Sequence, residues 1–421
     1  MSADARVVIT GLGVVCPIGI GRSEVWENFR AGKSGLSPIT SFDTTGLKAR
    51  VCGEIVGFEP AEYVKPRKAL KVMARDAQLT VAAAAMARDD AALPVDSVDP
   101  ERFGVIFGGE VIRNPLTEVA QPFIGSMENG EYDFARWGTG GLAMCYPLSM
   151  LKLLPNMPAC HISIGHDARG PNNTICMAEA SGLSALGEAT RVIQRGQADV
   201  MMGAAASSRV NAYDLLRHQL GEEVSSEESP LRACRPFDVD RDGQVRGEGA
   251  AVLILESGAH AASRGASPMA AISGWGAAGE PVGAGKTFNG DCIHRAIMKA
   301  LADAKLTAKD VGFVVAHGLA TRAGDRAEAR ALRESLPGVP VFAAKGYFGC
   351  LGTACGTVEA ALAAMALAAG ELPPTPHCDK PDPECGIDVV HGRPLTSFAG
   401  SCVIVSYTPA GQASALVLTK P

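Results

Sequence analysis

Apolar runs and segments of helical period alternate along the chain. Val7–Thr10 and Gly104–Gly108 are short, nearly continuous apolar stretches, the pattern of strands buried on both faces. Ala77–Ala87 is long and apolar enough for a helix. Ser181–Gly196 places Leu183, Leu186, Thr190 and Ile193 at helical spacing and stops at a glycine, and Asp199–Ala206 follows as a strand. In the second half, Val311–Ala316 predicts a strand ending at His317. Thr357–Ala369 predicts an alanine-rich helix beginning after Gly356. A similar order thus occurs twice, which predicts an α/β fold. Ile9-Thr10-Gly11-Leu12-Gly13 also returns as Ile272-Ser273-Gly274-Trp275-Gly276, the mark of a duplicated unit. The expected halves are residues 1–256 and 257–421, meeting near Glu256–Ser267. Neither the acidic stretch Gly221–Glu228 nor the proline-rich Glu371–Asp382 has the composition of a flexible tether, so one compact unit is expected.

Composition narrows the function. The 421 residues are 47% hydrophobic and 20% charged, as in a globular protein with a large core. A formal net charge of −6 gives no basic field to gather nucleic acid or an anionic membrane surface, so neither is expected as a partner. Met1–Arg6 leads into a strand rather than a signal-peptide core, and Ala360–Ala369 is too short to span a bilayer, so it should be a buried helix. Twelve cysteines without C-x-x-C spacing fit reduced thiols, and a cytoplasmic location is expected.

Several motifs fail on inspection. Gly11-Leu12-Gly13 follows a strand as a dinucleotide fingerprint does, but Cys16 stands where its third glycine belongs. Asp238, Asp240, Asp242 and Gly243 imitate a calcium loop, yet its twelfth position is Gly249, and Ala250–Leu255 has the pattern of a strand. His161 and His166 lack partners at metal-ligand spacing. No metal or cofactor is expected. The basic cluster Lys65, Arg67, Lys68, Lys71 and Arg75, placed on a helix, is either a docking face for an acidic carrier protein or a solvated charged face.

One set of segments carries more. Val8-Ile9-Thr10-Gly11-Leu12-Gly13-Val14-Val15, Leu154-Pro155-Asn156-Met157 and Gly170-Pro171-Asn172 are followed by Arg235-Pro236-Phe237-Asp238, Arg241-Asp242-Gly243 and Gly247-Glu248-Gly249-Ala250. Ala316-His317-Gly318, Lys345, Gly349, Gly352, Glu359 and Leu372-Pro373-Pro374-Thr375 complete the series. In this order, from Val7 to Leu418, the chain resembles the elongating β-ketoacyl-acyl-carrier-protein synthases. The resemblance implies the thiolase fold, two α/β halves layered αβαβα, and usually a dimer.

It also implies a nucleophilic cysteine at a strand-to-helix elbow, two histidines that stabilise an enolate, and a supporting lysine and glutamate. At the elbow this chain has Ala178-Glu179-Ala180-Ser181-Gly182, so Glu179 stands in the nucleophile's place, with Cys176 three residues too early to replace it. His317 matches the first histidine, Cys350 falls at the second, and Lys345 and Glu359 are retained. In the implied pantetheine channel, the two threonines become Leu319 and Thr321, and the phenylalanine after Arg-Asp-Gly becomes Gln244. The gating loop becomes Thr408-Pro409-Ala410-Gly411-Gln412-Ala413, in which Pro409 cannot move as the gating phenylalanine does.

A carboxylate is a poor acyl acceptor, so condensation is expected to be absent. An ionised Glu179 about 4 Å from a malonyl carboxylate would repel it by roughly 4 kcal/mol at an effective dielectric of about 20. Burial would favour the protonated form, and a helix N-terminus, His317 or Lys345 the ionised one. Glu179 is expected to bond His317 or Lys345. The leading expectation is a non-condensing subunit like the chain-length factors, paired with an active synthase and in reach of acyl carrier protein. The alternatives are a malonyl-carrier decarboxylase or thioester hydrolase using Glu179, and a non-enzymatic homodimeric binding or assembly protein.

Overall fold

The computed structural model describes residues 6–94, 97–112, 116–283 and 285–421. The strands that build its central sheet are β1 (Val7–Cys16), β2 (Phe103–Gly108), β3 (Asn172–Ile175), β4 (Val200–Ser208) and β5 (Glu248–Ser257). The second half supplies β6 (Ala270–Gly279), β7 (Phe313–Ala316), β8 (Val341–Ala343), β9 (Ser401–Thr408) and β10 (Gln412–Thr419). Across the sheet they run β8-β7-β9-β10-β6-β1-β5-β4-β2-β3. Outward from the β1–β6 pairing, the two halves repeat one plan. β1 pairs antiparallel with β5 and β5 with β4, while β4 and β3 flank β2 in parallel. Likewise β6 pairs antiparallel with β10 and β10 with β9, while β9 and β8 flank β7 in parallel.

The duplicated motif has a physical cause. β1 bulges between Ile9 and Gly11, and β6 bulges at the matching place, between Ile272 and Gly274. There the helices α1 (Arg75–Asp90) and, in the second half, Asp291–Ala304 press onto the strands. A Cβ at Gly13 would fall inside the carbonyl oxygen of Ala83, and one at Gly276 inside that of Ala296. The parallel extends to hydrogen bonds: the Leu12 N–H donates to Asp90 at 2.9 Å, and the Trp275 N–H to Asp303 at 3.0 Å.

Between the halves lie α2 (Ser181–Gln194) and, packed against it, the helix Cys355–Ala369, both touching strands of each half. This gives five layers, αβαβα, as expected. Small residues on every face let the helix 355–369 be enclosed all round. It begins at Cys355, two residues before the expected start. With the preceding turn, Gly352–Ala369 is 18 residues long and apolar enough to cross a membrane by length and composition, so the apolar stretch exceeds the ten residues read from the sequence; 89% of it is buried inside the protein.

Candidate active site

The chain leaves β3 at Ile175 and enters α2 at Ser181, and the elbow between them carries Glu179. Ala178 takes the left-handed conformation, with φ of 47°, which costs a non-glycine residue about 1–2 kcal/mol. Ser181 holds the turn: its Oγ donates to the Ala178 carbonyl at 2.7 Å and accepts the Met177 N–H at 2.7 Å. The Ser406 hydroxyl donates to the Glu179 carbonyl at 2.6 Å, tying the elbow to β9. Cys176 lies just beyond the end of β3 and is exposed, lining the same cavity as Glu179.

The Glu179 carboxylate does not bond His317 or Lys345. It accepts from Arg209 Nη1 at 3.1 Å and lies 3.6 Å from Arg246 Nη1. Arg209 follows directly on β4 and also pairs with Glu110; Arg246 reaches Glu222 at 3.1 Å and His218 Nδ1 at 3.0 Å. These two guanidinium groups meet the acid first, and Lys345 is already committed elsewhere. Burial, reinforced by the neighbouring Cys350, lifts Glu179 from 4.5 to about 7 against the lowering pull of Arg246. Burial also pushes Glu222 upward, but His218, Arg246 and Gln244 together bring it down to about 2. Arg209 falls to about 10, through burial and the like charge of Arg246.

Behind this layer, Lys345 Nζ bonds Glu359 Oε1 at 2.9 Å, His317 Nδ1 at 3.0 Å and the His317 carbonyl. An ammonium only donates, so Nδ1 is the acceptor and the neutral ring carries its proton on Nε2. Burial and then the charges of Lys345 and Arg246 hold His317 well below its ordinary value, in keeping with that neutral form. Burial raises Glu359 to about 7 despite Lys345. His317, Cys355 and Glu359 offer ligand atoms within 4.8 Å of one another. Lys345 already bonds two of the three, so an ammonium stands where a metal would draw on those charges. Cys350 is buried, with its Sγ 3.8 Å from Cys355 Sγ and 3.6 Å from Arg246 Nη1.

Two cavities adjoin Glu179. One of about 540 Å³ is lined by Glu110, Glu179, Arg209, Asp214, His218, Glu222 and Arg246 among others. The other, about 240 Å³, is lined by Glu179, Glu222, Gln244, Leu319 and the Thr408–Ala410 turn. Gln244, Leu319 and Pro409 therefore meet at one opening. Gln244 donates to Glu222 at 2.6 Å, a tie that phenylalanine could not make. Thr321 and Gln412 do not join them. The Thr321 hydroxyl accepts the Gly324 N–H at 3.2 Å and so caps the helix Arg322–Ser335, and Gln412 sits exposed at the start of β10.

The basic cluster forms no single helical face: Arg67–Val72 is a 3₁₀ turn and α1 starts only at Arg75. Lys65, Arg67, Lys68 and Lys71 are exposed, whereas Arg75 is taken by Glu248 at 2.6 Å. That pairing, with the Ile55 N–H and Ser208 hydroxyl, also explains Glu248 without calcium. Sequence reasoning missed Arg209, Glu110, Glu222, His218 and Cys355. Arg246 lies directly before the quoted Gly247-Glu248-Gly249-Ala250 segment, and that position was the one available signal.

A layered, duplicated α/β fold with a strand-to-helix elbow facing a buried histidine–lysine–glutamate group defines a thiolase-type acyl-transfer scaffold. The family model for the β-ketoacyl synthase N-terminal domain matches residues 4–261, and that for the C-terminal domain matches residues 269–379, so the chain belongs to the β-ketoacyl synthase family. The 3-oxoacyl-[acyl-carrier-protein] synthase 2 of Staphylococcus aureus (strain COL) is 33% identical over 395 residues, 93% of this chain and 92% of that one. A β-ketoacyl synthase from Burkholderia phymatum STM815 superposes with a TM-score of 0.88 at 28% identity, covering 99% of each chain. The ishigamide ketosynthase/chain length factor superposes with a TM-score of 0.84 at 30% identity, again over 99% of each chain.

Proposed function

We propose that this chain is a non-condensing ketosynthase-like subunit of a fatty-acid or polyketide-type pathway, acting as a chain-length-factor-like partner of an active ketosynthase. One observation carries the reading. The apex of the elbow, where the family's chemistry needs a thiolate, holds a buried carboxyl clamped by Arg209 and Arg246. A carboxylate attacking a thioester would give a mixed anhydride, more reactive than the thioester it replaced, so no stable acyl group accumulates there. Cys350 at the second histidine's place removes one donor to a developing enolate, a contribution of about 3 kcal/mol in comparable sites. His317, Lys345 and Glu359 persist as a framework. We take the two halves, 1–256 and 257–421, to act as one unit.

A partner subunit fits the surface. Among the described residues β3 ends the sheet with Asn172 and Asn173 exposed, and segment 116–154 exposes Phe123, Phe134, Leu142 and Met150. Lys65, Arg67, Lys68 and Lys71 offer an acidic carrier protein a place to dock. The test is to assay the purified chain with malonyl- and acyl-carrier substrates, alone and with a ketosynthase encoded beside it. The reading expects no condensation product alone and a stable heterodimer with the synthase; condensation by the lone chain overturns it.

A second reading rests on the Glu179 value of about 7, which suits a general acid–base in a thioester hydrolase or decarboxylase. Glu179→Gln would then abolish CO2 release or thioester hydrolysis, whereas a chain-length-factor role leaves any such background unchanged.

A further inference from the structure

Cys350 and Cys355 are joined by the short turn Leu351–Ala354, and their sulfurs face each other at 3.8 Å inside the protein. Their backbones are fixed. The Cys350 N–H donates to the Val245 carbonyl at 2.7 Å and its carbonyl accepts the Gly247 N–H at 3.0 Å, while Cys355 opens the helix 355–369. Cys355 Sγ also receives the Leu351 N–H at 3.2 Å, and Arg246 Nη1 points at Cys350 Sγ from 3.6 Å. The two thiols are differentiated: the hydrogen bond between the sulfurs, with Arg246 and Lys345, holds Cys350 well below the ordinary thiol range despite burial. Burial drives Cys355 upward, so it keeps its proton. The other buried cysteines lack this arrangement; burial lifts Cys16 and Cys234 to about 12.

We propose that Cys350 and Cys355 form an oxidation site, at which hydrogen peroxide joins the two sulfurs in a disulfide; Arg246, which lines the cavity beside Glu179, is the residue that separates that cavity from Cys350 Sγ. The Cys350 thiolate attacks one peroxide oxygen, the O–O bond breaks, and the departing hydroxide takes a proton from solvent to leave as water. Cys350 is then a sulfenic acid. The Cys355 sulfur attacks it and gives up its proton, the S–O bond breaks, and a second water leaves. The thiol pair supplies the two electrons that reduce the peroxide. The sulfurs must close from 3.8 Å to about 2.05 Å. The disulfide carries no charge, so Arg246 loses its sulfur partner and keeps Glu179 and Glu222.

The test uses the full reduced chain treated with hydrogen peroxide, then unfolded, alkylated and mapped by tandem mass spectrometry. The expected result is loss of two hydrogens in one disulfide linking Cys350 to Cys355, reversed by dithiothreitol. In Cys355→Ser, Cys350 should stop at the sulfenic acid and take up dimedone. Recovery of both thiols after peroxide, or a disulfide elsewhere, overturns the proposal. Where the variant does not fold, the wild-type map decides.

Discussion

Glu179 is lifted from 4.5 to about 7 by burial and by Cys350, which fixes the sign of its effect on stability. The folded state holds the proton more tightly than the unfolded chain, so this group's stabilising effect is full below pH 4.5 and is lost as the pH rises to about 7. In Glu179→Gln that loss should vanish. The difference in unfolding free energy between wild type and variant, measured by urea titration across this window, should shift in favour of the variant by at most about 3 kcal/mol toward neutral pH. A flat difference would mean that Arg209 and Arg246 hold the carboxyl ionised throughout. Lys345 gives a second expectation. Lys345→Met leaves Glu359 buried without its cation and should cost about 3–5 kcal/mol, and Lys345→Met with Glu359→Leu should recover part of it. Equal stability of the single and double variants would deny the pair its coupling.

At the scale of elements, the repeated glycines make the sharpest expectation. Gly13→Ala and Gly276→Ala each drive a methyl into a helix backbone and should cost about 3 kcal/mol or more, whereas Gly32→Ala meets open space and should lose about 1 kcal/mol from its left-handed backbone alone. Thermal or urea unfolding of the three variants checks the ranking. These glycines also show how far the sequence could be read. Ile9–Gly13 and Ile272–Gly276 disclosed the duplication because close approach of helix to strand admits glycine at fixed places, and buried strands announce themselves as apolar runs. The elbow, His317, Lys345, Glu359, Gln244 and Pro409 were legible through motif order. The partners of Glu179 were not: Arg209 and Arg246 are 30 and 67 residues away from it in the chain and converge only through the sheet order. Thr321 has a structural task that its motif position did not announce: its hydroxyl, one residue before a helix, caps that helix.

For the molecule as a whole, the open side of the first half is the face on which the proposed pairing can be tested. Among the described residues β3 has a neighbour, β2, on one side only, and in the same half Phe134, Met150 and Ile164 are 79%, 61% and 81% exposed. An open sheet edge and large exposed apolar side chains in one half are a liability for a lone chain and, under the proposed pairing, a contact for a partner of the same fold. Under the proposed pairing, Phe134→Asp with Met150→Asp should lower the mass seen by light scattering to that of the monomer and, in co-expression, release the ketosynthase. Being exposed, both positions should change the unfolding free energy of the monomer by no more than about 0.5 kcal/mol each. An unchanged mass would place the contact on another face. A monomeric double variant that still sustains product formation by the synthase would remove the need for pairing.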